Sequence, residues 1–183
     1  MTAVRDIAAR VLDPELPLVT IGELGILRDA HAEGDRAVVT ITPTYTACPA
    51  METIRADIAT ALSAAGWHTV DIHTVFAPAW TSDWITATGR EKLAKAGIAP
   101  PGAMNEHSAP PGAMNEHSAP QGETTPAPTP VRRGLPLLPP APPQCPRCES
   151  TDVEQLSRFG PAACLALWRC RSCAEPFEQF KSH

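Results

Sequence analysis

The first 97 residues alternate between helix-like and strand-like patterns of apolar positions. Apolar residues spaced three and four apart predict a short helix that ends at Asp13-Pro14. Thr20-Ile21-Gly22-Glu23 then has the form of a helix-capping box and predicts one helical turn. Two strand-like stretches, 25–30 and 36–42, are separated by Glu33-Gly34-Asp35, and this arrangement predicts a β-hairpin.

A longer helix is predicted to begin at Pro49 and to end at Gly66. Its buried stripe is formed by Met51, Ile54, Ile58, Ala61, Leu62 and Ala65. Residues 70–76 alternate like a third strand, and a last helix is predicted to end at Gly97. The order helix, hairpin, helix, strand, helix predicts a small α+β domain with a three-stranded sheet and helices.

The distribution of proline divides the chain into two domains and a linker. Of the 21 prolines, 13 lie within residues 98–143, a composition typical of a disordered, semi-extended tether. The prediction is therefore an α+β domain at 1–97, a proline-rich linker at 98–143 and a second, 40-residue domain at 144–183.

The linker contains a tandem repeat, because residues 99–108 and 109–118 have the same ten-residue sequence. We interpret the repeat as a duplication within a tether, since a segment this rich in proline and glycine does not form a packed core. A metal site built from His107 and His117 is the alternative.

The charge distribution argues against several classes of function. The net charge is −5, and Lys and Arg do not outnumber Asp and Glu in any of the three segments, so we expect no nucleic-acid partner. No apolar run approaches the roughly 20 residues of a membrane span, and Arg5, Asp6 and Arg10 interrupt the N-terminal pattern where a signal peptide would be apolar. We therefore expect a cytoplasmic protein whose cysteines act as ligands or reactive thiols.

The clearest chemical signal is a pair of Cys-x-x-Cys motifs in the last 40 residues. The pair Cys145 and Cys148 is separated by 21 residues from the pair Cys170 and Cys173, a spacing typical of a zinc ribbon. Four thiolates suit a closed, structural Zn²⁺ site, and a segment of this size rarely stays folded without such a support. Rubredoxin-type iron, an iron–sulfur cluster, and disulfides or free thiols are the alternatives.

Two further cysteines and two carboxylates are candidate functional residues. Cys48 directly precedes Pro49, so the positive end of the predicted helix would lower the pKa of its thiol and favour a nucleophile or a metal ligand. A plain buried cysteine is the alternative. Asp13 and Glu15 flank Pro14 and could supply oxygen ligands or a general acid, or could cap a helix. Cys164 lies near the predicted ribbon turn, either as a small buried side chain or as a functional thiol.

These residues resemble a known domain family. Asp13-Pro14-Glu15, the segment 22–26 and Thr44-Tyr45-x-x-Cys48-Pro49 with its helix are similar to the SufT-like domains of metal–sulfur cluster assembly proteins. The further segments Pro78-Ala79-Trp80-Thr81-x-Asp83-Trp84-Ile85 and 89–93, with the two cysteine motifs, resemble the PaaD (or PaaJ) family of the bacterial phenylacetyl-CoA epoxidase system.

The resemblance implies an accessory or maturation subunit in phenylacetate degradation, with structural zinc and a transient iron or iron–sulfur cargo. It implies that Cys48, with Asp13 and Glu15, takes part in transfer to an oxygenase or reductase partner, and it leaves a homodimer open. The sequence has neither the Glu-x-x-His helix pairs of a di-iron bundle nor a dinucleotide-binding glycine motif, so we expect no catalytic role. A non-catalytic scaffold subunit and a thiol enzyme that uses Cys48 are the alternatives.

Overall fold

The computed structural model describes residues 3–101 and 142–181. Most of the predicted linker, including His107, His117 and nearly all of the repeat, therefore lies outside the described residues. In the described parts of the chain, no helix is long and apolar enough to cross a membrane.

The first part of the chain folds around a small mixed sheet. Its helices and strands are α1 (Val4–Ala8), β1 (Leu27–Glu33), β2 (Arg36–Ile41), α2 (Met51–Ala64), β3 (Thr69–Thr74) and α3 (Ala87–Lys95), with a 3-10 turn at Ser82–Trp84. The strand order is β1-β2-β3. β1 and β2 form the antiparallel hairpin, and α2 connects β2 to the parallel strand β3. The predicted fold class, α+β with a three-stranded sheet, is confirmed.

Helix α1 ends at Ala8, before the predicted end at Asp13-Pro14. The predicted capping box forms both of its hydrogen bonds, from Thr20 N–H to the Glu23 carboxylate (2.9 Å) and from Glu23 N–H to Thr20 Oγ1 (3.1 Å). The predicted single turn forms, with the Leu24 N–H donating to the Thr20 carbonyl at 3.0 Å, and Gly25, with a φ of 70°, ends it before β1. Helix α2 begins at Met51 instead of Pro49, and its buried stripe is Ile54, Ile58 and Leu62.

The tail forms a second sheet to which the first part of the chain contributes a strand. β5 (Val153–Ser157), β6 (Leu165–Cys170) and β7 (Pro176–Phe180) are antiparallel neighbours. The short strand β4 (Ile98–Ala99), the first residues of the predicted linker, pairs in parallel with β7. The Arg90 guanidinium donates to the Pro101 carbonyl at 2.7 Å and to the Ser82 carbonyl at 2.7 Å, which ties this segment to α3.

The tail and the first part of the chain share one hydrophobic core. Phe180, which is fully buried, contacts Trp80 with a ring-centroid distance of 5.7 Å, and the Trp80 indole N–H donates to the Leu24 carbonyl at 2.9 Å. Ala162 and Leu165 are buried in the same cluster as the stripe of α2. Residues separated by the whole linker are therefore packed together.

This packing predicts a large effect for Phe180→Ala in the full zinc-loaded chain. Removing a fully buried phenylalanine ring should lower the free energy of unfolding by about 3–5 kcal/mol, measured by urea denaturation. Phe159→Ala is the matched control. The Phe159 ring is 72% exposed, and the Lys181 ammonium lies 4.6 Å from its centroid. This variant should lower the free energy of unfolding by at most about 1 kcal/mol. Equal losses for the two variants would contradict the shared core.

Candidate functional site: a four-cysteine centre and a thiol–carboxylate cluster

The four paired cysteines of the tail converge on one point. Their sulfur atoms all lie within 4.8 Å of one another. The Sγ atoms of Cys145 and Cys173 are 3.8 Å apart, and those of Cys148 and Cys170 are 3.5 Å apart. A tetrahedral zinc with Zn–S bonds of about 2.3 Å requires sulfur–sulfur separations of about 3.8 Å. The residues present therefore fit a tetrahedral metal centre.

Two similar turns place these sulfurs. Cys145 N–H donates to the Ser150 carbonyl and Cys170 N–H to the Glu175 carbonyl, both at 2.9 Å, so each Cys-x-x-Cys pair closes the same loop. The residue after each second cysteine has a left-handed backbone, with φ of 60° at Glu149 and 61° at Ala174. Residues other than glycine rarely adopt this backbone conformation. Contacts with surrounding residues therefore hold both turns in place.

The electrostatics of this cluster favour a bound cation. Backbone N–H donation, first from Cys173, lowers the pKa of the Cys170 thiol to about 6. The N–H of Ser150 acts in the same direction on Cys148, but the neighbouring thiols, first Cys170, raise the pKa of that group to about 12. One thiol ionises readily and its neighbour keeps its proton, because the protonated thiol forms a hydrogen bond with the ionised one. A metal ion would take the place of the shared proton.

Cys48 lies in the loop between β2 and α2, half-buried. The Met51 N–H donates to the Cys48 carbonyl at 3.5 Å, and the backbone N–H groups of Ala50 and Met51 act to lower the pKa of the Cys48 thiol. Its own N–H donates to the Tyr45 carbonyl at 3.1 Å, which closes the turn before the helix. The backbone therefore directs two donors at the sulfur even though α2 begins three residues after it.

The expected lowering of the Cys48 pKa is wrong. Burial raises the pKa of this thiol above its ordinary value, and the negative charges of Glu15 and Asp13 raise it further. The two backbone N–H groups oppose this shift without cancelling it. Cys48 is consequently a protonated thiol at neutral pH until a cation replaces the proton.

Asp13 and Glu15 form a small loop of carboxylates at the start of the chain. Asp13 is 6% exposed, and its Oδ1 accepts the N–H groups of Glu15 and Leu16, each at 2.9 Å. Burial raises the pKa of Asp13 despite these two hydrogen bonds, and burial together with the charge of Asp13 raises the pKa of Glu15. Asp13 therefore caps its own loop and also places negative charge beside Cys48.

The structure adds Cys164 to this group. It is 6% exposed at the start of β6, and its pKa is raised to about 12 by burial and then by Glu15, Asp13 and Cys48. We call Asp13, Glu15, Cys48 and Cys164 the thiol–carboxylate cluster. The sequence gives no local signal for this proximity, because Cys164 follows Cys48 by 116 positions and arrives only through docking of the tail.

Cys48 lines a cleft of about 430 Å³. The other lining residues are Pro43, Thr46, Met51, Glu52, Arg55, Thr74 and Phe76. Arg55 donates to the Ile72 carbonyl at 2.9 Å and to Thr74 Oγ1 at 3.2 Å, which fixes one wall, and the Phe76 ring is 58% exposed at the rim. Cys48 is thus accessible from one side, whereas Cys164 is buried.

Comparison with known proteins assigns the chain to a family. Residues 2–72 match the family model "Iron-sulfur cluster assembly protein", and residues 137–181 match the model "PaaD zinc beta ribbon domain". The chain is 36% identical over 173 residues to an Escherichia coli K12 protein named as a subunit of "Putative 1,2-phenylacetyl-CoA epoxidase", and the match covers 94% of this chain and 87% of that protein. The chain belongs to the PaaD family. The resemblance inferred from its motifs is therefore confirmed.

Two solved structures are similar to about half of this PaaD-family chain. A domain of unknown function from Bacillus anthracis is 28% identical, with a TM-score of 0.46, and covers 49% of this chain and 87% of its own. A Mycobacterium tuberculosis protein associated with Fe–S complex assembly and repair is 33% identical, with a TM-score of 0.33, and covers 52% of this chain and 84% of its own.

The raised pKa of Cys48 predicts how its alkylation depends on pH. Because only the thiolate reacts, the rate of iodoacetamide labelling at Cys48, followed by peptide mass mapping, should still rise at a pH where an ordinary thiol has levelled off. Glu15→Gln removes a charge that raises this pKa and should move the curve to lower pH. Glu52→Gln, a change of carboxylate in the wall of the same cleft, should leave it in place. A labelling rate at Cys48 that levels off below neutral pH would contradict the raised pKa of its thiol.

Proposed function

We propose that this protein is an accessory, non-catalytic subunit of a phenylacetyl-CoA epoxidase system in phenylacetate degradation. In this proposal it helps to insert iron or an iron–sulfur cluster into the oxygenase or reductase subunit. The name of the Escherichia coli relative supports the system, and the match to an iron–sulfur cluster assembly model supports the role.

The observation that carries this proposal is the environment of the Cys48 thiol. A half-buried thiol opens onto a cleft, receives two backbone N–H groups and lies beside two carboxylates whose ionised forms are disfavoured by burial. Iron accepts both thiolate and carboxylate ligands. A cation is the ligand that best offsets the cost of keeping these acidic groups together.

The chain's own residues would handle the cargo in the following way. Cys48 gives up its proton as a metal binds, and the N–H groups of Ala50 and Met51 then orient and stabilise the thiolate. Both backbone bonds to Asp13 fall on Oδ1, which fixes the carboxylate of that residue within its loop. Glu15, the more exposed of the two carboxylates, would take part in receiving and releasing the ion.

The four-cysteine centre has a separate role in this proposal, as a structural zinc site. Four protein ligands leave no open position at which water or substrate could bind. When bound, zinc would neutralise the clustered thiolates and hold the two turns at Glu149 and Ala174. It would thereby keep β6 and β7, and with them Cys164 and Phe180, in place on the first part of the chain.

The proposal predicts that Cys48→Ala abolishes maturation without loss of the protein. In cells that depend on this gene for growth on phenylacetate, the variant should accumulate normally, fail to support growth and lower the iron content of the purified oxygenase or reductase by at least about tenfold. The readouts are growth, immunoblotting and elemental analysis of the partner subunits.

Ile58→Val is the control for lost stability, because it trims the buried stripe of α2 and leaves Cys48 intact. It should cost about 0.5–1.5 kcal/mol and still support growth. Full iron loading and normal growth with Cys48→Ala would contradict the proposal. That result would instead favour a scaffold protein that only holds its partners together.

A further inference from the structure

The cleft of about 430 Å³ beside Cys48 lies along the start of α2. Cys48, Met51 and Arg55 all line it, and their spacing of three and four residues is that of one helix face. Arg55 lies four residues, about 6 Å, further along the helix than Met51. We call this space the Cys48 cleft.

The Arg55 guanidinium is fixed in the wall of the cleft and keeps donors for a ligand. Both of its hydrogen bonds leave from Nη1, to the Ile72 carbonyl at 2.9 Å and to Thr74 Oγ1 at 3.2 Å. Among the described residues, its Nε and Nη2 atoms have no acceptor, and the exposed carboxylate of Glu52 in the same cleft forms no ion pair with it. The fork of Nε and Nη2 matches the two oxygens of a carboxylate.

The rim of the Cys48 cleft adds an apolar contact surface. The Phe76 ring is 58% exposed there, and Pro43 and Met51 line the same space. Phe76 follows β3, which is an edge strand of its sheet, so the ring lies where the sheet ends. Aromatic residues, Met and Arg are enriched in protein–protein interfaces, where a few such residues contribute most of the binding energy. The lining of the cleft therefore suits a protein segment that carries both an acidic and an apolar group.

We propose that the Cys48 cleft is the docking surface for a segment of the recipient subunit. A carboxylate of that segment pairs with the free fork of Arg55, and a neighbouring apolar side chain packs on Phe76 and Met51. This inference rests on the proposed function, because the recipient is the oxygenase or reductase subunit to which the cargo passes. It adds that docking brings the recipient to the cleft onto which Cys48 opens.

The first test measures binding of the full, zinc-loaded chain to the purified oxygenase and reductase subunits by biolayer interferometry. Arg55→Gln and Phe76→Ala should each weaken binding to the recipient by at least about tenfold. Binding by Arg55→Gln should also depend less on salt concentration, because an ion pair is lost. Arg158→Gln and Phe159→Ala, which remove an exposed charge and an exposed ring outside the cleft, should bind within about twofold of the wild type.

Arg55→Lys gives a second test that does not depend on affinity. This variant places a primary amine at position 55, and a carbodiimide joins such an amine to a carboxylate in contact with it. Peptide mass mapping should find position 55 linked to an acidic side chain or the C-terminus of the recipient. The wild type, whose cleft is lined by no lysine among the described residues, should form no such link there.

The outcomes separate this inference from the function on which it rests. If both cleft variants bind like the wild type, or if the wild type binds neither subunit, docking at the cleft is overturned, whatever Cys48→Ala does to iron loading. If both cleft variants bind weakly and Cys48→Ala still permits full iron loading, the transfer role of Cys48 is overturned and the docking surface stands. If Arg55→Gln does not fold, Phe76→Ala decides, because it changes only an exposed ring.

Discussion

The contact between Phe180 and Trp80 joins two parts of the chain that share one hydrophobic core. A tail of about 40 residues buries too little apolar surface to fold without further support. This tail gains support from pairing of β7 with β4 and from insertion of Phe180, Leu165 and Ala162 into the core of the first part.

Burial determines the electrostatics of the candidate site. Asp13 and Cys164 are buried where their charged forms are disfavoured, and the charges of Glu15 and Asp13 raise the pKa of Cys48. Structural stability alone would favour neutral side chains at such positions. Acidic groups kept together at a cost to stability are typical of sites at which a cation binds. Among the described residues, only the four tail cysteines have side chains already converged as metal ligands.

Much of this architecture could be predicted from local patterns in the sequence. The hairpin and the capping box of Thr20 and Glu23 depend on residues close in sequence, and both are present in the structure. Of the predicted stripe of α2, Ile54, Ile58 and Leu62 are buried, whereas Ala65 is exposed. The Cys-x-x-Cys pairs are recognisable for the same reason, because each turn is a local unit.

The remaining features depend on contacts that no local pattern encodes. The pairing of β4 with β7 and the approach of Cys164 to Cys48 join residues on opposite sides of the linker. The pKa of Cys48 could not be predicted in sign from its position at a helix start. Its burial and the charges of Glu15 and Asp13 come from other segments and outweigh the two backbone donors.

The central claim is that this PaaD-family chain has a structural zinc centre and a separate site for an iron cargo. Metal and acid-labile sulfide analysis of anaerobically purified wild-type and Cys48→Ser protein tests it most directly. The account predicts zinc in both proteins, with iron, alone or with sulfide, in the wild type only. Zinc and nothing else in both proteins would contradict it.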